Sequence, residues 1–253
     1  MRILITGGNS WIAQAIAVDR IARGDDVFLT ASSEASRDTL LATCRERGIA
    51  ASCSVFDLRH PGGCSGELVE RLQALDGLIL NAATPVSTLE RFHSLPEDEV
   101  AASIDADIKG NLFLLRQVLP GMQERRFGRI VFVSSVSVVM GTSRYGPYCL
   151  TKSALEGLML NLAVDYGDCN VLSNILRLGM FRTRRTERYW TNAKYLKRAA
   201  SVVPQGALGD VDALPEAVHP LLSPRQYING SVVTVSGGLP LLKTTASRGR
   251  TDT

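Results

Sequence analysis

Three side chains in the middle of the chain have types and spacing that suit proton transfer. Tyr148 and Lys152 are four residues apart, so on a helix they share one face. A free tyrosine has a pKa of about 10 and is a poor acid or base at neutral pH, and we expect the Lys152 ammonium to lower that pKa. Ser135 lies thirteen residues before Tyr148 and offers a hydroxyl to a substrate oxygen. Together these residues indicate acid–base chemistry at an oxygen atom.

The sequence around these side chains predicts a strand and a helix. Residues 129–135 form a strongly apolar run that ends in Ser135, which is typical of a strand buried on both faces. Gly146 and Pro147 are a helix-opening signal. A Tyr-x-x-x-Lys pair on a helix is usually only a surface pair, so the catalytic interpretation depends on the rest of the chain.

The remaining pattern predicts alternating strands and helices. Short β-branched runs are followed by turns and then by helical periodicity. Strands are predicted at residues 2–6, 26–30, 51–56, 77–80, 129–133, 171–176 and 231–235, and helices at 11–18, 34–47, 67–74, 96–124, 147–166 and 210–222. This alternation predicts an α/β fold, a Rossmann-like doubly wound parallel sheet of about seven strands with helices on both faces.

Prolines mark expected interruptions in two of these helices. Proline lacks a backbone N–H and its ring clashes with the preceding turn. Pro120 and Gly121 are therefore predicted to end or kink the fourth helix, and Pro215 and Pro220 to break the last one.

The chain is interpreted as one domain, residues 1–242, because it contains no internal repeat and no linker-like segment. Residues 180–205 are predicted to be a loop of mixed character. The tail at residues 243–253 is small, polar and basic, and we expect it to be mobile.

Composition and charge narrow the class of protein. Of the 253 residues 45% are hydrophobic and 21% charged, which is ordinary for a globular protein. A net charge of +3 is too small to indicate a nucleic-acid or membrane partner, and no apolar run is long enough to predict a membrane span. The five cysteines show no C-x-x-C pair and no metal spacing. We therefore expect reduced thiols, no metal site, no signal peptide and a cytoplasmic location.

Several short motifs occur in order along the chain. Their positions are Thr6, Gly7, Trp11, Ala13, Asp57, Leu80–Ala83, Ser135, Tyr148, Lys152, Leu178, Gly179, Thr183, Tyr227, Gly230 and Ser236–Gly238. In order and spacing they resemble the short-chain dehydrogenase/reductase family, in its single-domain type similar to β-ketoacyl-carrier-protein reductases. The resemblance covers nearly the whole chain.

The resemblance implies a reaction and a cofactor. A nicotinamide dinucleotide would lie across the carboxyl ends of the strands and exchange hydride with a carbonyl or alcohol carbon. Tyr148 would act as general acid or base, Ser135 would bind the same oxygen, and Lys152 would also bind the nicotinamide ribose. Asp107 falls where the family carries the Asn of a proton relay. The implied cofactor-binding residues are Gly7, Asn9, Ser10, Trp11, Ile12, Ser32, Asp57, Leu58, Asn81, Ala82, Tyr148, Lys152 and Thr183.

Two positions depart from the family pattern. Trp11 replaces the glycine that lets the backbone approach the pyrophosphate, so its side chain either covers the dinucleotide or packs into a neighbouring helix. Asp107 replaces an Asn. A carboxylate accepts the same hydrogen bonds but adds a charge near Lys152. We therefore expect the activity to be retained, with a changed rate.

The second strand bears on the choice of cofactor. NAD-preferring relatives carry an acidic residue at its end to hold the ribose 2′-OH, whereas this chain has no acid there before Glu34. Ser32, Ser33 and Arg37 are placed to receive a 2′-phosphate. We therefore expect NADP(H), and NAD(H) is not excluded.

Residues 180–205 indicate the kind of substrate. Seven basic residues and one acid lie between residues 182 and 198, and by the resemblance this segment is a lid over the substrate. Such a lid suits an anionic acyl substrate, including one tethered to acyl carrier protein or CoA. Arg126 falls where carrier-docking reductases hold an arginine. The resemblance also implies a homodimer or homotetramer, and a solvated lid remains an alternative.

Two other functions stay open at this point. Enoyl reductases of the related branch separate their Tyr and Lys by six residues, and Tyr145 and Lys152 have that spacing. A non-catalytic cofactor sensor is the second alternative, which Trp11 and Asp107 support. The intact Ser135, Tyr148 and Lys152 favour a ketoreductase over both.

Overall fold

One parallel sheet of seven strands forms the centre of the molecule. The structure is a computed structural model, and it describes residues 1–85 and 89–241. Neighbouring strands pair in the order β3-β2-β1-β4-β5-β6-β7. The strands are β1 (Arg2–Ile5), β2 (Asp26–Ala31), β3 (Ser52–Val55), β4 (Gly77–Leu80), β5 (Gly128–Ser135), β6 (Val171–Leu178) and β7 (Val232–Val235). The predicted doubly wound sheet is therefore confirmed.

Ten α-helices connect and cover the strands within the described residues. They are α1 (Trp11–Ala22), α2 (Glu34–Arg47), α3 (Gly66–Gln73), α4 (Glu97–Ile104), α5 (Asn111–Glu124), α6 (Ser137–Met140), α7 (Gly146–Asp165), α8 (Glu187–Trp190), α9 (Ala193–Val202) and α10 (Leu214–Leu222). A π-helical segment, Asp105–Gly110, joins α4 to α5. The predicted helix at 96–124 thus contains a change of helical type that periodicity does not reveal.

The sheet separates two apolar layers. Helices α1, α2 and α10 pack on one face, where Ile3 and Ile5 of β1 contribute to the core. Helices α3, α5 and α7 pack on the other face, which receives Leu4. Because side chains alternate along a strand, the apolar run of β1 fills both layers. The carboxyl ends of the strands stay free of this packing and meet at one edge.

Pro120 and Pro220 do not end the helices that contain them. Pro120 lies inside α5, which continues to Glu124, and Pro220 lies inside α10. Leu119 and Met122 flank Pro120 and are buried. We infer that this packing outweighs the loss of one backbone hydrogen bond, which is the local cost of a proline.

Residues 180–205 are more regular than predicted. The segment contains α8 and α9 instead of a loop of mixed character. Ala199 and Val203 are buried in a third apolar cluster with Val136 and Leu239, so contacts with distant parts of the chain hold these short helices. The predicted mobile tail at 243–253 lies outside the described residues.

Candidate active site

The turn after β1 is fixed against β2 and the end of β4. The Gly7 N–H donates to Thr30 Oγ1 over 3.2 Å, and Gly7 has a φ of +71°. A Cβ at Gly7 would lie 3.1 Å from Ala82 Cα, so both the left-handed φ and the close approach favour glycine. Thr6 Oγ1 accepts hydrogen bonds from the N–H groups of Asn81 and Ala82. The turn and the segment after β4 therefore form one wall.

Trp11 begins α1 and packs against the 180–205 segment. Ser10 caps the helix by accepting a hydrogen bond from the Ile12 N–H. The Trp11 ring lies 6.0 Å from the Trp190 ring, measured between centroids, at an interplanar angle of 46°. Trp190 Nε1 in turn donates to the Thr183 carbonyl over 3.1 Å. Of the two orientations considered for Trp11, the structure shows packing against a neighbouring helix.

A cavity of about 790 Å³ follows the carboxyl ends of the strands. This volume is in the range of small-molecule sites. Its wall includes Arg59, Arg184 and Arg185, which were not predicted as site residues. Of the predicted site residues, the cavity is lined by Gly7, Asn9, Ser10, Trp11, Ile12, Ser32, Asp57, Leu58, Asn81, Ala82, Ser135, Tyr148, Lys152 and Thr183. Asp107 is not in the lining.

Ser135, Tyr148 and Lys152 come together at one end of this cavity. Ser135 ends β5, and the other two lie in the first two turns of α7. Lys152 is 4% exposed, and its Nζ donates to the Val133 carbonyl over 2.7 Å. The same Nζ lies 5.9 Å from the centroid of the Tyr148 ring. The Ser135 hydroxyl donates to Ser137 Oγ over 3.1 Å.

The protonation of this group differs from the sequence-based expectation. Burial raises the pKa of Tyr148, while Ser135 and Arg185 oppose the rise. Burial also lowers the pKa of Lys152 to about 8, with Asp107 opposing. The expected lowering of the tyrosine pKa by Lys152 is wrong for this structure, because the ammonium binds a strand carbonyl and burial of the phenol dominates. Tyr148 is therefore a protonated acid at neutral pH.

Asp107 lies behind the cavity, in the π-helical segment. It is 2% exposed and accepts hydrogen bonds from the Thr84 N–H over 2.7 Å and from the hydroxyls of Thr84 and Thr151. The carboxylate favours the charged form of Lys152. The expected added charge near Lys152 is present, and Thr84 is a partner that sequence reasoning missed.

A second, partly buried carboxylate supports the end of β5. Glu156 lies one turn after Lys152 on α7 and accepts a hydrogen bond from the Ser134 hydroxyl over 2.6 Å. Arg177 of β6 binds both carboxylate oxygens of Glu156. This network ties the strand residue before Ser135 to the helix that carries Tyr148. Glu156 follows Lys152 at i,i+4 spacing, which is the signal that was available in the sequence.

The opposite end of the cavity contains an ion pair. Asp57 binds Arg59 through two hydrogen bonds of 3.0 and 2.8 Å, and this arginine lowers the pKa of Asp57. Ser32 and Ser36 line the same end. The Asp-x-Arg spacing of the pair is visible in the sequence, but Arg59 was not predicted as a site residue.

Two of the three residues proposed for a 2′-phosphate have other roles. Ser33 caps α2 by accepting a hydrogen bond from the Ser36 N–H. Arg37 pairs with Glu34 and Asp38 at 2.5 and 3.0 Å, and neither Ser33 nor Arg37 lines the cavity. Local helix-capping and side-chain pairing therefore compete with the predicted anion site, and only Ser32 lines the cavity as predicted.

The 180–205 segment brings arginines to the catalytic end. Thr183 caps a short 3₁₀ turn, Arg184–Thr186, and Arg185 follows within it. Its guanidinium Nη2 donates to the Ala83 carbonyl over 3.2 Å. The sequence shows that this segment is basic, but which arginine faces the site follows only from the turn.

A family model described as Enoyl-(Acyl carrier protein) reductase, a name from one branch of the short-chain dehydrogenase/reductases, matches residues 8–240. The chain belongs to the short-chain dehydrogenase/reductase family. The predicted membership is confirmed by this match, which covers Ser135, Tyr148, Lys152 and the 180–205 segment.

Family relatives of known name align along most of the chain. It is 28% identical over 238 residues to the 3-oxoacyl-[acyl-carrier-protein] reductase FabG of Rickettsia bellii, covering 93% of this chain and 95% of that protein. It is 29% identical to dehydrogenase/reductase SDR family member 4 of Bos taurus, covering 93% and 85%. A crystal structure of 3-oxoacyl (acyl-carrier-protein) reductase from Agrobacterium tumefaciens C58 with NADP bound superposes with a TM-score of 0.84 at 25% identity, covering 94% of this chain and 93% of that one.

None of the helices in residues 1–85 and 89–241 is long and apolar enough to span a bilayer. In the same residues no group of three or more His, Cys, Asp and Glu side chains is arranged to hold a metal ion.

Proposed function

We propose that this protein is a carbonyl reductase that uses a nicotinamide cofactor and reduces a ketone or a β-ketoacyl thioester. The observation that carries the proposal is the meeting of Ser135, Tyr148 and Lys152 in one cavity. The cavity follows the strand ends, where ligands of open α/β sheets bind. Family membership supports the same reaction class.

The residues of the cavity fit a dinucleotide. Gly7 forms a left-handed turn in close contact with Ala82, which a side chain would strain, and the N-terminus of α1 adjoins this turn, as in many phosphate sites. Ser32 and Asp57 would hold the adenosine end, the Gly7–Ile12 turn the pyrophosphate, and Asn81, Lys152 and Thr183 the nicotinamide end. The cofactor supplies a hydride when it is bound. Trp11 borders the cavity without closing it.

Tyr148 supplies the proton in this mechanism. Because burial raises the pKa of Tyr148, the phenol is protonated at neutral pH and donates to the oxygen of the carbonyl as negative charge develops there. Ser135 donates a hydrogen bond to the same oxygen. Lys152, held by the Val133 carbonyl, presents a cation to the site. The product is an alcohol, with the proton on its oxygen.

NADPH is the proposed cofactor over NADH. The end of β2 offers hydroxyls from Ser32 and Ser36 and no carboxylate facing the cavity. Arg59 is the cation at that end, and a phosphate bound there would compete with Asp57 for it. The Agrobacterium tumefaciens reductase named above was solved with NADP bound, which supports the same choice.

The enoyl reductase alternative rests on Tyr145, and the structure places that residue less favourably. Tyr148 lines the cavity and Tyr145 does not. The Tyr145 hydroxyl accepts a 3.4 Å hydrogen bond from Arg188 of α8. The name of the matching family model is the observation in favour of this alternative, and the position of the two tyrosines favours ketone reduction.

A carrier-linked substrate and an oligomer are further parts of this proposal. The FabG relatives are named as reductases of acyl-carrier-protein substrates, which supports a thioester. Arg126, however, donates to the Asp168 carbonyl and lies before β5, at the end of the sheet opposite to the cavity. The docking role considered for Arg126 at this protomer's own cavity therefore has no support from its position. A homodimer or homotetramer is proposed from the family resemblance.

A pair of tyrosine variants tests the proposed reaction. We expect Tyr148→Phe to lose NADPH oxidation with an acetoacetyl thioester and with simple ketones by about a hundredfold or more, because the proton donor is removed. Tyr145→Phe is the matched control and is expected to keep turnover. Loss in Tyr145→Phe with retention in Tyr148→Phe would identify an enoyl reductase, and enoyl thioesters would then be the substrates. Binding of cofactor without turnover of any carbonyl would identify a sensor.

A further inference from the structure

The catalytic end of the cavity contains a cation that the proposed mechanism does not use. Arg185 lines the cavity beside Tyr148 and Lys152. In the part of the chain that the structure describes, its guanidinium is held by one neutral group, the Ala83 carbonyl, at 3.2 Å. None of the ion pairs formed within residues 1–85 and 89–241 includes Arg185. A guanidinium has five N–H donors, so most of its donors remain for a ligand.

The other cations of the cavity are more nearly balanced. Arg59 is paired with Asp57 in two hydrogen bonds, and Lys152 has Asp107 nearby. Arg185 instead adds an uncompensated positive charge, and it lowers the pKa of both Tyr148 and Lys152. The lowering of the pKa of Asp57, at the adenosine end, comes mainly from Arg59. The charge of Arg185 therefore acts at the end where the carbonyl would react.

This location limits which anion the arginine can bind. The phosphate of a phosphopantetheine arm is separated from the reacting acyl group by the length of that arm, so it would lie outside the cavity when the carbonyl faces Tyr148. The adenosine 2′-phosphate would lie at the far end, near Ser32 and Arg59. Two anions remain for Arg185: the cofactor pyrophosphate, and a charged group of the substrate itself, a few bonds from its carbonyl. Carboxylates suit a guanidinium because its planar fork binds two oxygens.

We propose that Arg185 is a specificity-determining residue that binds the carboxylate of an oxo acid, or of the corresponding hydroxy acid, while Ser135 and Tyr148 face its carbonyl. This proposal rests on the proposed carbonyl reductase function and narrows its substrate class from ketones in general to ketones that carry a carboxylate. The cofactor pyrophosphate is the competing anion for the same guanidinium, and the test below separates the two.

The test compares acids with their esters at equilibrium. Acetoacetate, levulinate and 5-oxohexanoate place the carboxylate at increasing distance from the ketone, and their methyl esters remove only the charge. Each is titrated by calorimetry into the full-length protein saturated with NADP⁺, which cannot donate hydride, so binding is measured without turnover. We expect at least one acid to bind roughly ten- to a hundredfold more tightly than its ester, the range of hydrogen bonds to charged groups.

Variants assign the preference to one residue. Arg185→Met is expected to abolish the difference between acid and ester, Arg185→Lys to keep part of it, and neither to change the NADP⁺ dissociation constant. Lys197→Met, an exposed charge of α9 outside the cavity, is the control for general lid charge and is expected to keep the preference.

Three results would contradict the proposal, and a fourth would separate it from the proposed reductase function. Equal binding of acids and esters by the wild-type protein, or an acid preference that survives in Arg185→Met, contradicts it. Weaker NADP⁺ binding by Arg185→Met assigns the guanidinium to the pyrophosphate and also contradicts it. If acids bind tightly and lose that preference in Arg185→Met while NADPH oxidation is absent with every carbonyl, the anion site is supported and the proposed reductase function is the part that fails.

Discussion

Lys152 is the residue whose chemistry depends most on its surroundings. Its ammonium is buried, binds the Val133 carbonyl, and has its pKa lowered to about 8. The protonated form therefore predominates below pH 8 and is lost as the pH rises through 8, well before a free lysine would lose its proton at about 10.4.

This lowered pKa predicts a pH dependence of cofactor binding. Raising the pH from 7 to 9 removes the Lys152 cation, so we expect the NADPH dissociation constant to increase severalfold. Fluorescence titration at constant ionic strength measures it. In Lys152→Met the dependence between these pH values is expected to flatten. A wild-type dissociation constant that does not change from pH 7 to 9 would contradict the assignment.

Asp107 should set where this transition falls. Its carboxylate raises the pKa of Lys152 against the effect of burial, so replacing it by the family's Asn removes that support. We expect Asp107→Asn to move the pH-dependent loss of NADPH binding to a lower pH. An unchanged midpoint in a variant with a normal thermal transition would show that Asp107 acts only through Thr84 and Thr151.

At the scale of single residues, the sequence predicts which residues line the site better than it predicts their partners and pKa shifts. Ser135, Tyr148 and Lys152 line one cavity as expected, because motif spacing places them at strand and helix ends. The direction of the Tyr148 pKa shift was wrong, since burial depends on atoms far away in the chain. Arg37 was also misassigned, because its carboxylate neighbours at i−3 and i+1 were not weighed as partners.

At the scale of elements, the site depends on a close approach between a helix and a loop. Gly110 ends the π-helical segment, and a Cβ there would lie 2.5 Å from the Leu58 carbonyl oxygen and 2.9 Å from Leu58 Cα. Leu58 follows Asp57 in the cavity wall. The glycine therefore sets the spacing between the helix that carries Asp107 and the adenosine end.

Adding one methyl group tests this contact. We expect Gly110→Ala to lower the free energy of unfolding by about 1–3 kcal/mol, as overpacking does, and to weaken NADPH binding because Leu58 must move. Gly63→Ala is the control, since a Cβ at Gly63 meets no atom within 4 Å. Thermal unfolding and cofactor titration measure both effects. Equal behaviour of the two variants would show that the helix adjusts without cost.

Local signals decide which elements the sequence predicts well. Helix α2 was predicted with its observed bounds because Ser33 caps its start and Gly48 ends it in a left-handed conformation. Helices α8 and α9 were missed because they are short and are held by tertiary packing of Ala199 and Val203. The π-helical turns at Asp105–Gly110 keep the same apolar periodicity as an α-helix over so few residues, so sequence pattern does not distinguish them.

At the scale of the whole molecule, helix α7 joins the site to an apolar outer surface. Lys152 and Leu155 face inward and are buried. On the outside, Leu160 is 54% and Val164 81% exposed, and they lie four residues apart on one face. Large exposed apolar side chains grouped on one face are typical of a protein interface, which agrees with the proposed homo-oligomer.

A charge on that face tests the proposed assembly. We expect Val164→Glu to shift the protein from dimer or tetramer towards monomer in sedimentation velocity, because a buried unpaired carboxylate costs several kcal/mol at an interface. Val139→Glu is the control, since Val139 is also exposed but lies on α6. A wild-type protein that sediments as a monomer would overturn the proposed oligomer.

The sequence predicted the parallel sheet, but it did not predict which face of α7 carries the site and which face is exposed. Alternating strands and helices suffice for the fold class, because a buried parallel sheet needs both. The dual use of α7, which carries Tyr148 inside and Val164 outside, requires knowing which face is buried. That depends on the packing of α7 against β5 and β6 and not on its composition.

The two tryptophans of the chain are in contact with each other. Trp11 belongs to the helix that adjoins the phosphate turn and Trp190 to the segment over the catalytic end, with ring centroids 6.0 Å apart. At this separation the strong far-ultraviolet transitions of two indoles couple, so we expect the far-ultraviolet circular dichroism of the protein to contain an exciton signal from this contact. A movement of the 180–205 segment away from α1 would weaken that coupling and reduce the signal. The circular dichroism of the unlabelled protein is therefore expected to report the separation of Trp11 and Trp190.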